Sequence, residues 1–442
     1  LLPEKGLGEA DEKAAAEELA KRKAVMSKEE LDAIVEDDRK LAKYRETPDS
    51  KEALATIPVL TRDDLTKEVW PLSNIEREVN GCKVIQHDYN GNGIVYPELI
   101  FSLEGIKEEE LPYVKVMSAL LSIVDTSRHD YSDLDDEINL VSGGIGTGTY
   151  SYGIEKDGTL FPYFGVTMKM KLDKTKEVLA LVTEILNESK FDDKKRILEV
   201  LNRIRLGLEN GMLQAGHRTA LGRSRAHISK YAMMLEKMGG VEFYKFVDAL
   251  IKDYDNSFEE LKNRLSTLSK ELFNRKNLKV SVTLPKDDFA RFETPLAEFI
   301  DTLSAEGSFC FGKGMPEVQL LSGNEGLTAA SQITYTGAFG RIDPKLCESG
   351  VALVLTTILS NEWLYQQIRV KGGAYGAGIQ LYSREDSALF YTYRDPNIKE
   401  SIEALKSIVK YTEDFEADED EMTKYIIGTL GTIDAPLGTR RM

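Results

Sequence analysis

Ile368-Arg369-Val370-Lys371-Gly372-Gly373-Ala374-Tyr375-Gly376-Ala377-Gly378 marks the point where an amphipathic segment, 351–368, gives way to a strand pattern, 375–383. The glycine pair predicts a sharp turn, because glycine takes φ > 0 at little cost. The turn sets an arginine and a tyrosine six residues apart, one at a helix end and one at a strand start. A guanidinium and a phenol so placed can converge on one substrate oxygen, as donors that anchor a substrate or stabilise a transition state do. A structural reading stands beside it. Arg369 then closes a helix against its dipole, and Tyr375 is a hairpin tyrosine with a wet hydroxyl. The spacing leaves both open.

Outward from this stretch, a second strand pattern at 388–394 predicts a hairpin around Arg384-Glu385-Asp386. Residues 329–336 read as a strand before it, and 398–411 and 419–430 as helices after it. The same order, strand–helix–strand–strand–helix–helix, occurs upstream. Strand patterns at 83–86 and 94–103 flank the turn signal Asn90-Gly91-Asn92-Gly93. Residues 111–124 are apolar at helical spacing, 142–150 form a glycine-rich strand, and 163–172 alternate. Helical patterns then run through 178–185, 192–236, 241–254 and 257–273. A strand at 278–284 is expected to open the second copy of the order. The pattern predicts the α+β class: two similar α/β sandwich domains at 51–275 and 276–442, each an antiparallel-rich sheet packed by helices. Residues 1–50 read as a helical hairpin linker, with Ser27 and Glu30 forming a capping box at its joint.

At 442 residues the chain is expected to hold two or three domains. Lys+Arg number 57 against 74 Asp+Glu, a net charge of −17, which argues against nucleic acid as a partner. Such a charge either serves solubility or attracts basic peptides. Cys82, Cys310 and Cys347 form no CxxC pair, so neither a disulfide framework nor a thiolate zinc site is expected. Each is expected to be a small buried hydrophobe, and a reducing compartment fits. No apolar run approaches the ~18 residues that span a bilayer. The chain starts at Leu1 and stops soon after a helical pattern, so both ends are expected to be cut from a longer polypeptide.

The histidines are His87, His129, His217 and His227, and none belongs to HExxH or HxxEH. A zinc site of that kind needs ligands on one helical face beside a carboxylate base. No metal ligand is therefore expected in this chain. His217, in Gly216-His217-Arg218, reads as a helix-packing or capping histidine, with a cleft-facing role as the alternative. Residues 143–148 lack the Lys-Ser/Thr of a phosphate-binding loop and continue as strand, which points to close backbone approach at a sheet edge. No GxSxG elbow occurs, and no serine or cysteine has a triad context.

Arg369-Val370-Lys371-Gly372-Gly373-Ala374-Tyr375-Gly376 resembles the C-terminal-half signature of the presequence proteases, a branch of the pitrilysin-type zinc metallopeptidases that includes falcilysin. Tyr44-Arg45-Glu46-Thr47-Pro48-Asp49-Ser50 with Ala55-Thr56-Ile57-Pro58 is similar to the start of that half. Gly93-Ile94-Val95-Tyr96, Gly143-Gly144-Ile145, Gly216-His217-Arg218-Thr219-Ala220 and residues 428–434 also resemble it, so nearly the whole chain is covered.

The resemblance implies two halves that close like a clamshell around a peptide chamber, joined by the helical hairpin. The zinc, its HxxEH and a distal glutamate lie in the N-terminal half. Arg369 and Tyr375 are implied to be the catalytic and substrate-binding contributions of this half, with Gly372 and Gly373 in the same substrate-binding stretch. The chain departs from the full pattern in carrying no HxxEH and in stopping short of the family's last strand and helix. It is thereby implied to be the C-terminal half of a zinc endopeptidase of short unstructured peptides, inactive alone. Its expected partners are the N-terminal catalytic half of the same polypeptide and unfolded, basic peptides, with no nucleic acid and no membrane. The alternative is a non-catalytic peptide-binding or scaffold subunit that pairs with a separate zinc-bearing chain. The expected location is a bacterial cytoplasm, or alternatively the mitochondrial matrix or another organelle.

Overall fold

The computed structural model describes residues 6–47, 49–66, 68, 73–154, 159–329 and 331–434. The chain divides after Leu65 into two units. The first unit holds helices Leu7–Val25 and Lys28–Glu46 and the short turn Lys51–Leu54. Ser27 and Glu30 cap the second helix reciprocally: the Glu30 amide donates to Ser27 Oγ at 3.2 Å, and the Ser27 amide donates to Glu30 Oε2 at 2.8 Å. The hydrogen bond from the Ser27 backbone amide, and then that with its side chain, hold the Glu30 carboxyl below its ordinary range. Leu19, Ile34 and Leu41 remain exposed, as the weak apolar stripe of both helices requires.

The second unit is built on two sheets. The larger comprises β1 (Asn74–Val79), β2 (Cys82–Asp88), β3 (Ile94–Ser102), β4 (Ile145–Ile154), β5 (Thr159–Met168), β6 (Met170–Lys171) and β7 (Leu278–Leu284). Its order is β1-β2-β7-β3-β5-β4, with β6 beside β3. Only the β2–β7 pairing is parallel among these. Val84, Leu99, Phe101, Val166 and Val280 are fully or almost fully buried and share one core with the helices that cover them. Helix Thr175–Glu188 contributes Val178, Val182 and Ile185, the spacing of a single buried stripe. The smaller sheet is antiparallel, in the order β8 (Gly337–Arg341), β10 (Ser387–Tyr393), β9 (Gly376–Tyr382). Its own small core is Leu364, Ile368, Ala374 and Phe390. The class is α+β with antiparallel-rich sheets, as the sequence patterning indicates.

Four expectations change. The strand at 278–284 does not open a second sheet: β7 lies between β2 and β3, so a boundary near residue 276 would cut the large sheet. Alternating Val280 and Val282 announce a strand but not the sheet that receives it. The strand expected at 329–336 lies instead at Gly337–Arg341. Gly337 is weak strand material, yet helix Gly216–Arg225 packs so closely that an added Cβ would stand 2.7 Å from the Ala220 carbonyl carbon. The helix expected to end at 368 runs as an α-helix over Gly350–Ile358 and continues as a π-helix over Leu359–Lys371. Cys310 is half-buried rather than enclosed, while Cys82 and Cys347 are buried. Within 143–148, Gly148 lies on an edge strand and is crowded by a side chain rather than by backbone, whereas Gly144 has open space around it. A Cβ on Gly148 would meet the Tyr150 hydroxyl at 2.6 Å, and β4 is the last strand of its sheet.

Candidate substrate-contact site

Helix Leu359–Lys371 ends at the glycine pair. Gly373 adopts φ +76°, the left-handed conformation that closes helices. Its amide donates to the Arg369 carbonyl at 3.0 Å and the Ala374 amide to the Ile368 carbonyl at 3.0 Å, which satisfies the last turn. Gly372 is small for a different reason: a Cβ there would stand 2.6 Å from the Ile368 carbonyl oxygen. Asn397 Nδ2 donates to the Gly372 carbonyl at 2.6 Å and ties the turn to the segment after β10. Ala374 is buried in the small core, so the chain turns inward once and re-emerges at Tyr375.

The emergence brings Arg369 and Tyr375 together. The Arg369 guanidinium carbon lies 5.5 Å from the Tyr375 ring centre and 5.3 Å from that of Tyr365. A cation between two ring faces is held electrostatically, and arginine suits the arrangement best. Tyr365 stands four residues before Arg369, on the same helical face. Tyr375 is 64% exposed and Tyr365 41% exposed. Among the described residues neither the Arg369 guanidinium nor the Tyr375 hydroxyl has a hydrogen-bond or ion-pair partner. The site therefore offers strong, unspent donors on an open surface, stiffened from behind by their rings.

The backbone beneath is fixed as well. The Tyr375 amide donates to the carbonyls of Tyr393 at 3.1 Å and Arg394 at 3.2 Å. Arg394 holds φ +50°, a conformation rare outside glycine, with its guanidinium 5.5 Å from the Tyr393 ring centre. The Tyr393 ring meets Tyr375 edge to face at 5.6 Å. Arg369, Tyr375 and the glycines are legible in the sequence, whereas Tyr365, Tyr393 and Arg394 join the site only in the structure. The i,i+4 spacing to Arg369 is the available signal for Tyr365. Nothing local signals Tyr393 and Arg394, which arrive through sheet pairing.

The four histidines have their own partners, and among the described residues His217 alone of them packs on a ring of this site. His129 Nδ1 pairs with Glu184 at 2.8 Å, and that hydrogen bond raises its pKa. His227 stacks on Phe339. His217 sits among Tyr335, Tyr391 and Tyr393, and burial, aided by the charge of Arg218, lowers its pKa. His87 bridges Asn74 Oδ1 at 2.7 Å and Ser281 Oγ at 2.9 Å, which has the connectivity of a hydrolase triad. It lies on a sheet where β2 is paired on both sides, so neighbouring amides are spent in the ladder rather than gathered for an oxyanion. Among the described residues no group of three or more His, Cys, Asp or Glu side chains is placed to hold a metal ion. No described helix is long and apolar enough to cross a membrane.

The α+β fold is shared with solved structures. A conserved protein from Enterococcus faecalis V583 superposes with a TM-score of 0.60 at 13% identity, over 82% of this chain and 86% of that one. The peptidase M16 inactive domain from Pseudomonas fluorescens does so with a TM-score of 0.53 at 13% identity, over 83% and 85%. Residues 1–250 match the family described as peptidase M16 (subfamily C) associated, and residues 324–441 match the PreP C-terminal domain. The chain belongs to this peptidase-associated family and is related to the C-terminal half of the presequence proteases. It is 32% identical to Protein HypA of Clostridium perfringens over 439 residues, which cover 99% of this chain and 44% of that protein. It is 29% identical to the chloroplastic/mitochondrial Presequence protease 1 of Arabidopsis thaliana over 418 residues, covering 94% and 38%. The chain thus spans less than half the length of the curated relatives it matches.

Proposed function

We propose that this chain is the substrate-embracing C-terminal half of a zinc-dependent endopeptidase of short, unstructured peptides. Arg369 and Tyr375 contact the bound peptide and the oxyanion that forms from its scissile carbonyl. The carrying observation is the pair itself: a guanidinium braced between two rings, beside a phenol whose hydroxyl has no partner among the described residues. Donors already placed where charge develops need no reorganisation during reaction, which is how such sites lower a barrier. In this reading Gly372 and Gly373 keep that stretch close to the peptide. The zinc and the general base belong to the N-terminal half, which is this chain's partner across the peptide chamber. The presequence proteases among its relatives support the substrate class. The net charge of −17 supports a preference for basic peptides. Relatives named as mitochondrial and as bacterial proteins fit either expected location.

The test uses the full-length protein. Arg369→Ala and Tyr375→Phe are each expected to lower kcat/KM by about a hundredfold, as loss of an oxyanion donor does. Zinc content stays unchanged. Turnover within about twofold of wild type is too little for a lost transition-state donor and rejects the assignment. In the same assay, kcat/KM for a basic peptide falls as salt is raised; a flat salt profile removes the charge preference. A second reading is a non-catalytic subunit serving a separate zinc-bearing chain, favoured by the fold shared with an M16 inactive domain. A wild-type full-length protein that binds peptide, holds no zinc and cleaves nothing would select it.

A further inference from the structure

We propose that His217 is a positioning residue that sets the Tyr375 ring through Tyr393; this rests on the reading of Tyr375 as a substrate contact. The rings form a continuous series. Tyr375 meets Tyr393 edge to face, 5.6 Å between centres at 79°. Tyr393 meets His217 in the same way, 4.8 Å at 79°. Edge-to-face contact is the orientation the ring quadrupoles favour, so each ring fixes the tilt of the next. Tyr375 also has the Arg369 guanidinium 5.5 Å from its ring centre. The phenol thus has both a cation and a ring packed against it, and that ring is set in turn by His217.

The origin of His217 makes the series rigid. It is the second residue of helix Gly216–Arg225, which lies within the family match at residues 1–250, whereas Tyr375 and Tyr393 lie in the C-terminal match. Tyr335 packs 5.6 Å from Tyr393, and its hydroxyl donates to the Leu213 carbonyl at 3.0 Å, just before that helix begins. Gly216 makes room for the Tyr335 ring, which an added Cβ would overlap. The imidazole itself is held by packing: its buried Nδ1 has no hydrogen-bond partner. Burial favours the neutral ring, consistent with a role as an aromatic edge rather than a charge.

Two substitutions in the full-length protein separate this role from volume filling. His217→Leu keeps a side chain of similar volume and removes the aromatic ring; His217→Phe keeps an aromatic ring and removes the nitrogens. His217→Leu is expected to lower kcat about tenfold with KM within about twofold, since a small misplacement of a donor is costly in the chemical step. His217→Phe is expected to stay within about threefold of wild type. In a Tyr375→Phe background His217→Leu adds less than about twofold, because the group it positions is already gone. A fluorotyrosine introduced at position 375 gives a readout free of activity. Its fluorine resonance is expected to shift in His217→Leu and to hold in His217→Phe. An unmoved resonance in both, or equal losses of kcat in both, overturns the proposal. If the resonance shifts as expected while Tyr375→Phe turns over normally, the positioning stands and the substrate-contact reading of Tyr375 fails.

Discussion

Gly373 at φ +76° and Gly372 against the Ile368 carbonyl oxygen show one dipeptide meeting two separate constraints. The first is conformational: an L side chain in the left-handed region costs about 1–2 kcal/mol. The second is steric, since a Cβ at 2.6 Å from a backbone oxygen forces the helix end to move. Gly373→Ala is therefore expected to lower stability by about 1–2 kcal/mol in urea unfolding of the full-length protein. Gly372→Ala is expected to disturb Arg369 directly, because the obstructing carbonyl belongs to the residue before it. An unchanged urea midpoint for Gly373→Ala would contradict the assigned backbone state. The need for a turn here was legible, since only glycine pairs turn so cheaply between a helix and a strand. The identity of the second ring on Arg369 was not, because Tyr365 reads in sequence as one more member of an amphipathic face.

At the scale of elements, the hairpin of β9 and β10 was legible because Asp386 and its polar neighbours interrupt two alternating runs; Asp386 adopts φ 46° at that turn. Strand β8 was not, because Gly337-Ala338-Phe339-Gly340-Arg341 has neither alternation nor branching and is made a strand by its pairing with β10. Helix Thr175–Glu188 was legible from its apolar stripe, but its polar anchor was not. The Glu184 side chain, 3% exposed, accepts from Thr126 Oγ1 and pairs with His129, fixing the loop before helix Tyr131–Val141. The hydrogen bond to Glu184 raises the His129 pKa, with the charges of Glu184, Glu137 and Asp133 acting the same way against burial. A histidine raised in the fold contributes stability that is complete below its unfolded value, about 6.5, and is lost as pH rises through the folded one. Wild type is expected to lose up to about 1 kcal/mol of stability relative to His129→Gln as pH rises above about 6.5, a small effect for a partly exposed ring. Parallel urea midpoints of the two proteins across that range would show that the pair carries no such linkage.

Across the second unit, helix Gly216–Arg225 holds distant segments together with two arginines that face different partners. Arg223 bonds Glu236 at 3.0 Å, Glu242 at 2.8 Å and Glu325 at 2.7 Å. Arg225 makes a two-pronged contact with Glu385 at 2.7 and 2.8 Å, and its guanidinium lies 4.1 Å from the Tyr382 ring centre. This organisation was the least legible part of the sequence. Arg225 and Glu385 are separated by 160 positions, and nothing in 74 acidic residues marks the one that pairs. The family-level outline was legible because whole segments match; the ties between segments depend on contacts that no local pattern records. Glu385 sits at the tip of the β9–β10 hairpin whose other end carries Tyr375 and Tyr393, so its anchor bears on the candidate site. The Glu385 side chain is only 3% exposed. Removing its arginine leaves a buried charge uncompensated, which costs about 3–5 kcal/mol, whereas replacing both members by apolar groups is often close to neutral. Arg225→Ala is accordingly expected to destabilise the full-length protein by about 3–5 kcal/mol, and the pair Arg225→Met with Glu385→Leu by far less. The double replacement also frees the hairpin tip, so it is expected to lower peptide turnover even where the urea midpoint is restored. Stability and turnover recovering together would show that the clamp supports the fold alone and leaves the placement of Tyr375 to the rings behind it.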